Sequence, residues 1–140
     1  TVPGMKKCGQ QNCGVCPYIQ PGKYFKATAT NYRVDINAQV DCNSSNVCYA
    51  LNCMVANCGK QYIGQTSKSL RERLKQHLSY VDHNMEATGR HFYLPGHSKS
   101  DLRATVIEKV HSREVWCREE IESMHIRKAN SFYEGIKLKP

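Results

Sequence analysis

The chain has 140 residues, enough for one ordinary domain or a small domain with an appended module. Apolar residues make up 40% and charged residues 23%, which supports a modest packed core and argues against a disordered or collagen-like chain. Twenty Lys and Arg against twelve Asp and Glu give a net charge of +8, a balance that points to an anionic partner, nucleic acid foremost.

No run approaches the roughly 18 uncharged apolar residues of a membrane span, so no membrane partner is expected. Nor is there a secretory leader pattern. The chain opens Thr1-Val2-Pro3 without Met, as expected of a piece cut from something larger. Eight cysteines stand at 8, 13, 16, 42, 48, 53, 58 and 117, beside six histidines. An even count permits a disulfide scaffold. Close Cys pairs with His in a basic chain read better as metal ligands in a reducing compartment.

In chain order, Lys7 to Pro17 has the look of a loop-rich metal knuckle, and a weak alternation from Tyr24 to Val40 suggests one or two short strands. Asn43-Ser44-Ser45-Asn46 is a turn or boundary, dividing a Cys-rich extension (1–46) from a second unit (47–140). Val47 to Leu51 reads as a buried strand and Gln61 to Gly64 as its hairpin partner, with turn chemistry in Asn57-Cys58-Gly59-Lys60. Thr66 or Ser67 can cap the helix that follows, with Ser69 and Glu72 a second capping-box option. Leu70, Leu74, Leu78 and Val81 then form a narrow helical stripe. Residues 82–100 read as loop, Leu102 to Val110 as a third strand, Arg113 to Ala129 as a second helix, and Ser131 to Pro140 as an irregular tail. The economical packing is an α+β domain with a small three-stranded sheet flanked by helices.

Three constellations carry chemistry. Cys53-x4-Cys58 with His91-x5-His97 offers two thiolates and two imidazoles, a set suited to tetrahedral zinc. The 32 residues between Cys58 and His91 exclude a DNA-reading ββα finger, which has about 12 there. A zinc ion held so would staple the hairpin loop to the loop after the helix; ordinary loop histidines are the alternative. Cys8-x4-Cys13-x2-Cys16 is a second set lacking a fourth ligand. Cys42 is the choice, with Cys48, His83 and His111 as rivals, while Cys48 and Cys117 suit core packing better. Arg73 and His77, at i and i+4, share one helix face near Lys68, Arg71 and Lys75. That suits a phosphate, and equally a solvated basic face. Among the acids Glu114, Glu119, Glu120 and Glu122, Glu122 shares its face with Val115, Ile126 and Ala129. A carboxylate there needs a metal or a partner such as Arg118.

Together these runs resemble the GIY-YIG endonuclease superfamily, in the version carried by Penelope-like retroelements. The resemblance rests on Val47-Cys48-Tyr49-Ala50-Leu51, Cys53 and Cys58, Lys60 to Thr66, Leu70 to His77, Arg90 to Ser98, Asp101-Leu102 and Glu122 to Lys128. It covers residues 42 to about 137, and the upstream Cys cluster is similar to the lead-in of such elements. It implies the GIY-YIG nuclease fold, with a three-stranded antiparallel sheet. It also implies a site of Tyr49, Tyr62, Arg73, His77 and a metal-binding Glu122 that hydrolyses DNA phosphodiesters with Mg2+ or Mn2+, and structural zinc in the Cys/His set. The nick would prime reverse transcription in the nucleus, with element RNA and a reverse transcriptase domain of the same polyprotein as partners. The first motif reads Val-Cys-Tyr instead of Gly-Ile-Tyr, His125 stands where a Trp is common, and Lys137 where an Asn is. The rivals are a non-catalytic, zinc-stapled nucleic-acid-binding module and a secreted disulfide protein.

Overall fold

The computed structural model describes residues 2–133. Its strands are β1 (Gly4–Met5), β2 (Tyr24–Lys26), β3 (Arg33–Asp35), β4 (Gln39–Val40), β5 (Ser45–Cys53), β6 (Gln61–Ser69), β7 (Leu102–Lys109) and β8 (Phe132–Tyr133). Its helices are α1 (Leu70–Asp82), α2 (Glu86–Phe92) and α3 (Val115–Ala129).

The principal sheet has the order β7-β5-β6-β8. The three expected strands are there, mutually antiparallel, with β5 at the centre. The expectation of a three-stranded sheet is corrected by β8, which pairs parallel to β6 through Tyr62↔Phe132 and Ile63↔Tyr133. The physical cause is the end of α3, where Asn130 takes the left-handed conformation (φ 50°) and turns the chain back onto the open edge of β6. Two small sheets lie outside it: β1 with β4, and the β2–β3 hairpin.

Strand β6 runs on to Ser69, beyond the expected Gly64, because Ser69 still pairs with Ser45. The helix therefore starts at the later of the two candidate caps. Ser69 accepts from the Glu72 amide (3.2 Å) and Glu72 returns the bond to the Ser69 amide (3.3 Å). In α1 the buried positions are Leu70, Leu74, His77 and Val81. His77 thus occupies the core position one residue before Leu78, which is only partly buried.

Alternation along β5 sends Val47, Tyr49, Leu51 and Cys53 into one cluster, with Tyr62, Leu102, Val106 and the Leu70 and Leu74 side chains of α1. Met5, Val15, Ile19, Ile36, Val40 and Cys42 fill the same cluster, so the segment before residue 46 contributes to the core of the main sheet. Cys48 and Ala50 face the other way, with Ile63, Ile107, Phe25 and Ala129 of α3.

Helix α2 falls in the segment expected to be loop. The sequence obscures it because Gly89 sits at its middle, and a glycine there weakens any helical pattern. The packing requires that glycine: a Cβ on it would lie 2.6 Å from the carbonyl carbon of Tyr80 in α1. Gly89→Ala is expected to push α2 off α1 and cost about 1–3 kcal/mol. Chemical denaturation checks this, and an unchanged midpoint would contradict the close approach.

Candidate metal centres and a buried tyrosine site

All eight cysteines are free, and seven metal-ligating residues expected from spacing, together with Cys42, fall into two groups of four. In each group the ligand atoms lie within 4.8 Å of one another. Cys42, rather than Cys48, His83 or His111, completes the first group with Cys8, Cys13 and Cys16.

The four-cysteine group is built from the N-terminal knuckle and the residue ahead of β5. Cys8 and Cys16 sulfurs are 3.5 Å apart, and Cys16 and Cys42 sulfurs 3.8 Å apart. Four sulfurs at about 2.3 Å from a tetrahedral zinc stand about 3.8 Å from each other, so this cluster could hold a metal ion such as zinc. Burial pushes the Cys42 thiol up. At Cys13 burial acts the same way but is outweighed by the Val15 amide and the Arg71 guanidinium, which bring it down to about 6.

The second group joins the β5–β6 turn to α2 and the loop behind it. Asn57 and Gly59 both take left-handed backbone (φ 67° and 66°), which wraps the turn around Cys58. The Cys58 sulfur lies 3.6 Å from His91 Nε2. His97 Nδ1 meets the Pro95 carbonyl at 3.3 Å, leaving its Nε2 as a lone pair. That Nε2 is buried and makes no well-formed hydrogen bond, with the Cys58 thiol, which raises the His97 imidazole, as its neighbour. A lone-pair nitrogen oriented by a carbonyl and aimed among two thiols and another imidazole fits zinc. Burial, reinforced by His97 and Lys60, holds the His91 imidazole down to about 4, so it stays a neutral ligand.

The expected site residues divide between the two faces of the sheet. Tyr49, on the central strand, is fully buried, and Arg73 Nε donates to its hydroxyl at 2.9 Å. His77 Nε2 lies 2.8 Å from the same hydroxyl, and its Nδ1 lies 3.0 Å from the Thr88 hydroxyl of α2. The guanidinium also reaches the Gln76 side-chain oxygen. Sequence reasoning missed Thr88: a lone threonine in a stretch without periodicity carries no signal. Since α2 supplies both Thr88 and His91, the second metal centre and the Tyr49 site share one short helix.

Tyr62 sits on the same face as Tyr49 but beside the metal ligands, its ring 5.5 Å from that of His91. Burial, with the neighbouring Cys58 and Cys53 thiols, pushes its phenol up to about 12. Tyr62 is therefore a proton donor at neutral pH. A raised phenol pKa stabilises the fold fully below pH ~10, the unfolded value, and that stability is lost as pH rises towards 12. Ultraviolet titration of the wild type against Tyr62→Phe should show one tyrosine ionising late; a normal titration would contradict its burial.

Glu122 projects from α3 on the opposite face. It is buried on the row Arg118, Glu122, His125 and Ala129, and its charge, with that of Glu108 and after the larger effect of burial, pushes up the Cys48 thiol. Arg118, the partner suggested by spacing, bonds to the Gln65 side chain and to the Asn46 oxygen (2.8 Å). His125 bridges the Tyr32 hydroxyl (2.9 Å) and Glu108 (2.8 Å). Glu122 stands outside both four-ligand groups. Lys137 lies outside the described residues.

Among the described residues no helix is long and apolar enough to cross a membrane. No protein-family model, no curated protein and no solved structure matches the chain.

Proposed function

We propose that this chain is a zinc-stapled, metal-dependent DNA endonuclease of the GIY-YIG type, cutting by phosphodiester hydrolysis. The observation that carries the reading is the bonded set Tyr49–Arg73–His77: three residues named by the resemblance, from two elements, meeting at one phenol oxygen. An arginine beside a phenol stabilises its oxygen anion. With Arg73 donating to that oxygen, the phenol proton is directed to His77 Nε2, and Thr88 then holds the Nδ1 proton of the imidazole. Tyr49 can so pass its proton to His77 and, itself fully buried, holds the face of Arg73 that is turned to the phosphate. Arg73 also supplies a fork of donors for a non-bridging phosphate oxygen. Tyr62, held protonated, donates rather than accepts. Mg2+ or Mn2+ would supply charge neutralisation at the phosphate; Glu122, the acid the resemblance names as its ligand, lies on the sheet face opposite Tyr49 and Arg73.

The anionic partner has support beyond net charge. On the side of β2, the β5–β6 turn and the end of α3, a cavity of about 840 Å³ is lined by Lys26 and Lys60 and by no acidic residue. Lysines without acids suit a phosphate backbone.

One observation favours a second reading. Glu122 and Tyr49 belong to opposite sheet faces, which suits a nucleic-acid-binding module that stabilises its fold with zinc and makes no cut. Supercoiled plasmid incubated with the chain in Mg2+, Mn2+ or EDTA separates the two. The nuclease reading expects nicked product with either metal and none with EDTA, lost in Glu122→Gln. Metal-independent binding with no scission would replace it by the second.

A further inference from the structure

The first turn of α1 lies against the four-cysteine centre. Its Leu70 amide donates to the Ser44 carbonyl and its Arg71 amide to the carbonyl of Cys42, both at 2.8 Å. The fourth ligand residue therefore caps the helix through its own backbone. The Arg71 side chain then reaches back over the centre. Its Nε donates to the Cys13 sulfur at 3.4 Å, and one terminal nitrogen donates to the Cys8 sulfur at 3.2 Å and to the Gln10 side-chain oxygen at 2.8 Å. The other terminal nitrogen holds the Asn43 side-chain oxygen. Two residues on, about 200° round the helix, Arg73 reaches the Tyr49 hydroxyl.

We propose that Arg71 is a positioning residue: it stabilises metal at Cys8, Cys13, Cys16 and Cys42, and through that centre fixes the helix that carries Arg73 and His77. A divalent ion with four thiolates carries a net charge of −2. N–H···S bonds from a guanidinium spread that charge and keep the sulfurs from protons. The same side chain ties knuckle (Cys8, Gln10, Cys13) and turn (Asn43) to one helix, so the metal, the cap and the two site side chains form a continuous mechanical unit. Emptying the centre frees Cys42 and the carbonyls that cap α1. The inference builds on Arg73 and His77 as site residues, and its test uses no cleavage.

The full chain is loaded with Co2+ in place of zinc, and the thiolate-to-metal absorption of the four-cysteine centre is followed against a competing chelator. Arg71→Gln is expected to weaken that centre about 10–100-fold, as loss of an outer-shell partner does, and to leave the Cys/His centre unchanged. In zinc-loaded protein, the imidazole nitrogen resonances of His77 are expected to shift when the four-cysteine centre is emptied and to return at saturating metal. Asn43→Ala, which spares every ligand and every charge, should move affinity in the same direction by less. Unchanged affinity in Arg71→Gln, or His77 resonances indifferent to the centre's occupancy, would overturn the proposal. Loss of folding in Arg71→Gln shifts the decision to Asn43→Ala, where wild-type affinity would overturn it equally.

Discussion

Stripping metal from the Cys53–Cys58–His91–His97 centre should abolish the cooperative unfolding transition of the chain. Apparent zinc binding of about 10–16 kcal/mol in small folded sites is as large as the roughly 5–15 kcal/mol that holds a whole domain folded. The particular geometry gives the number its meaning here. Without an ion, His97 Nε2 has only the Cys58 thiol to turn to, a contact that raises the imidazole and lowers the thiol and so leaves a charged pair in place of a coordinated one. Burial pushes the Cys53 thiol up to about 11 and holds His91 down to about 4, so neither can recover its loss by becoming charged. The turn around Cys58 then loses its tie to α2, and with α2 goes Thr88. Chelator titration followed by near-ultraviolet circular dichroism and calorimetry tests this, with Cys58→Ser as the genetic counterpart. A metal-free chain that melts as sharply as the loaded one would remove zinc from the account of the fold.

Arg73→Ala should reduce strand scission about 10²–10³-fold while zinc content stays at the wild-type level, the scale of losing one positioned donor to a developing oxyanion. The fold should tolerate it at a cost near 1 kcal/mol, because the Tyr49 hydroxyl keeps its bond to His77 when the arginine goes. Arg73→Lys keeps the charge but cannot reach phenol and phosphate with two prongs, and should recover only part of the rate. Single-turnover nicking with matched protein concentrations measures both. Full activity in Arg73→Ala would take the guanidinium out of the chemistry and leave Tyr49–His77 as a buried structural pair.

The two expectations differ in what they depend on. The first rests on distances among ligand atoms, which the fold itself supplies. The second rests on the buried polar groups around Tyr49, from which Glu122, on the other sheet face, stands apart. The sequence placed it on a row with Val115, Ile126 and Ala129, whereas the buried row of α3 is Arg118, Glu122, His125 and Ala129 and Val115 is exposed. The sheet face it would reach was not visible, since a helix row says only that residues look inward together.

Local pattern determined much of this protein. Continuous apolar character marked β5, helical spacing marked α1 and α3, and cysteine and histidine spacing separated the ligands from Cys48, which is core, and from Cys117, which is only partly buried on α3. Such signals are short-range, and they survive because strand alternation, helix period and ligand chemistry act within a few residues. Tertiary contact decided the rest. Gly89 helped residues 82–100 read as loop yet made α2 possible against Tyr80, and the β6 edge recruited β8 from a stretch with no pattern of its own. Arg71 gained its contacts only when the N-terminal knuckle folded onto α1, the same packing that brings Cys42, already the choice from the sequence, to the other three sulfurs. Bonds between residues some sixty positions apart, such as Arg71 to Cys8, leave no periodicity to read, because their geometry is set by packing and not by neighbours in the chain.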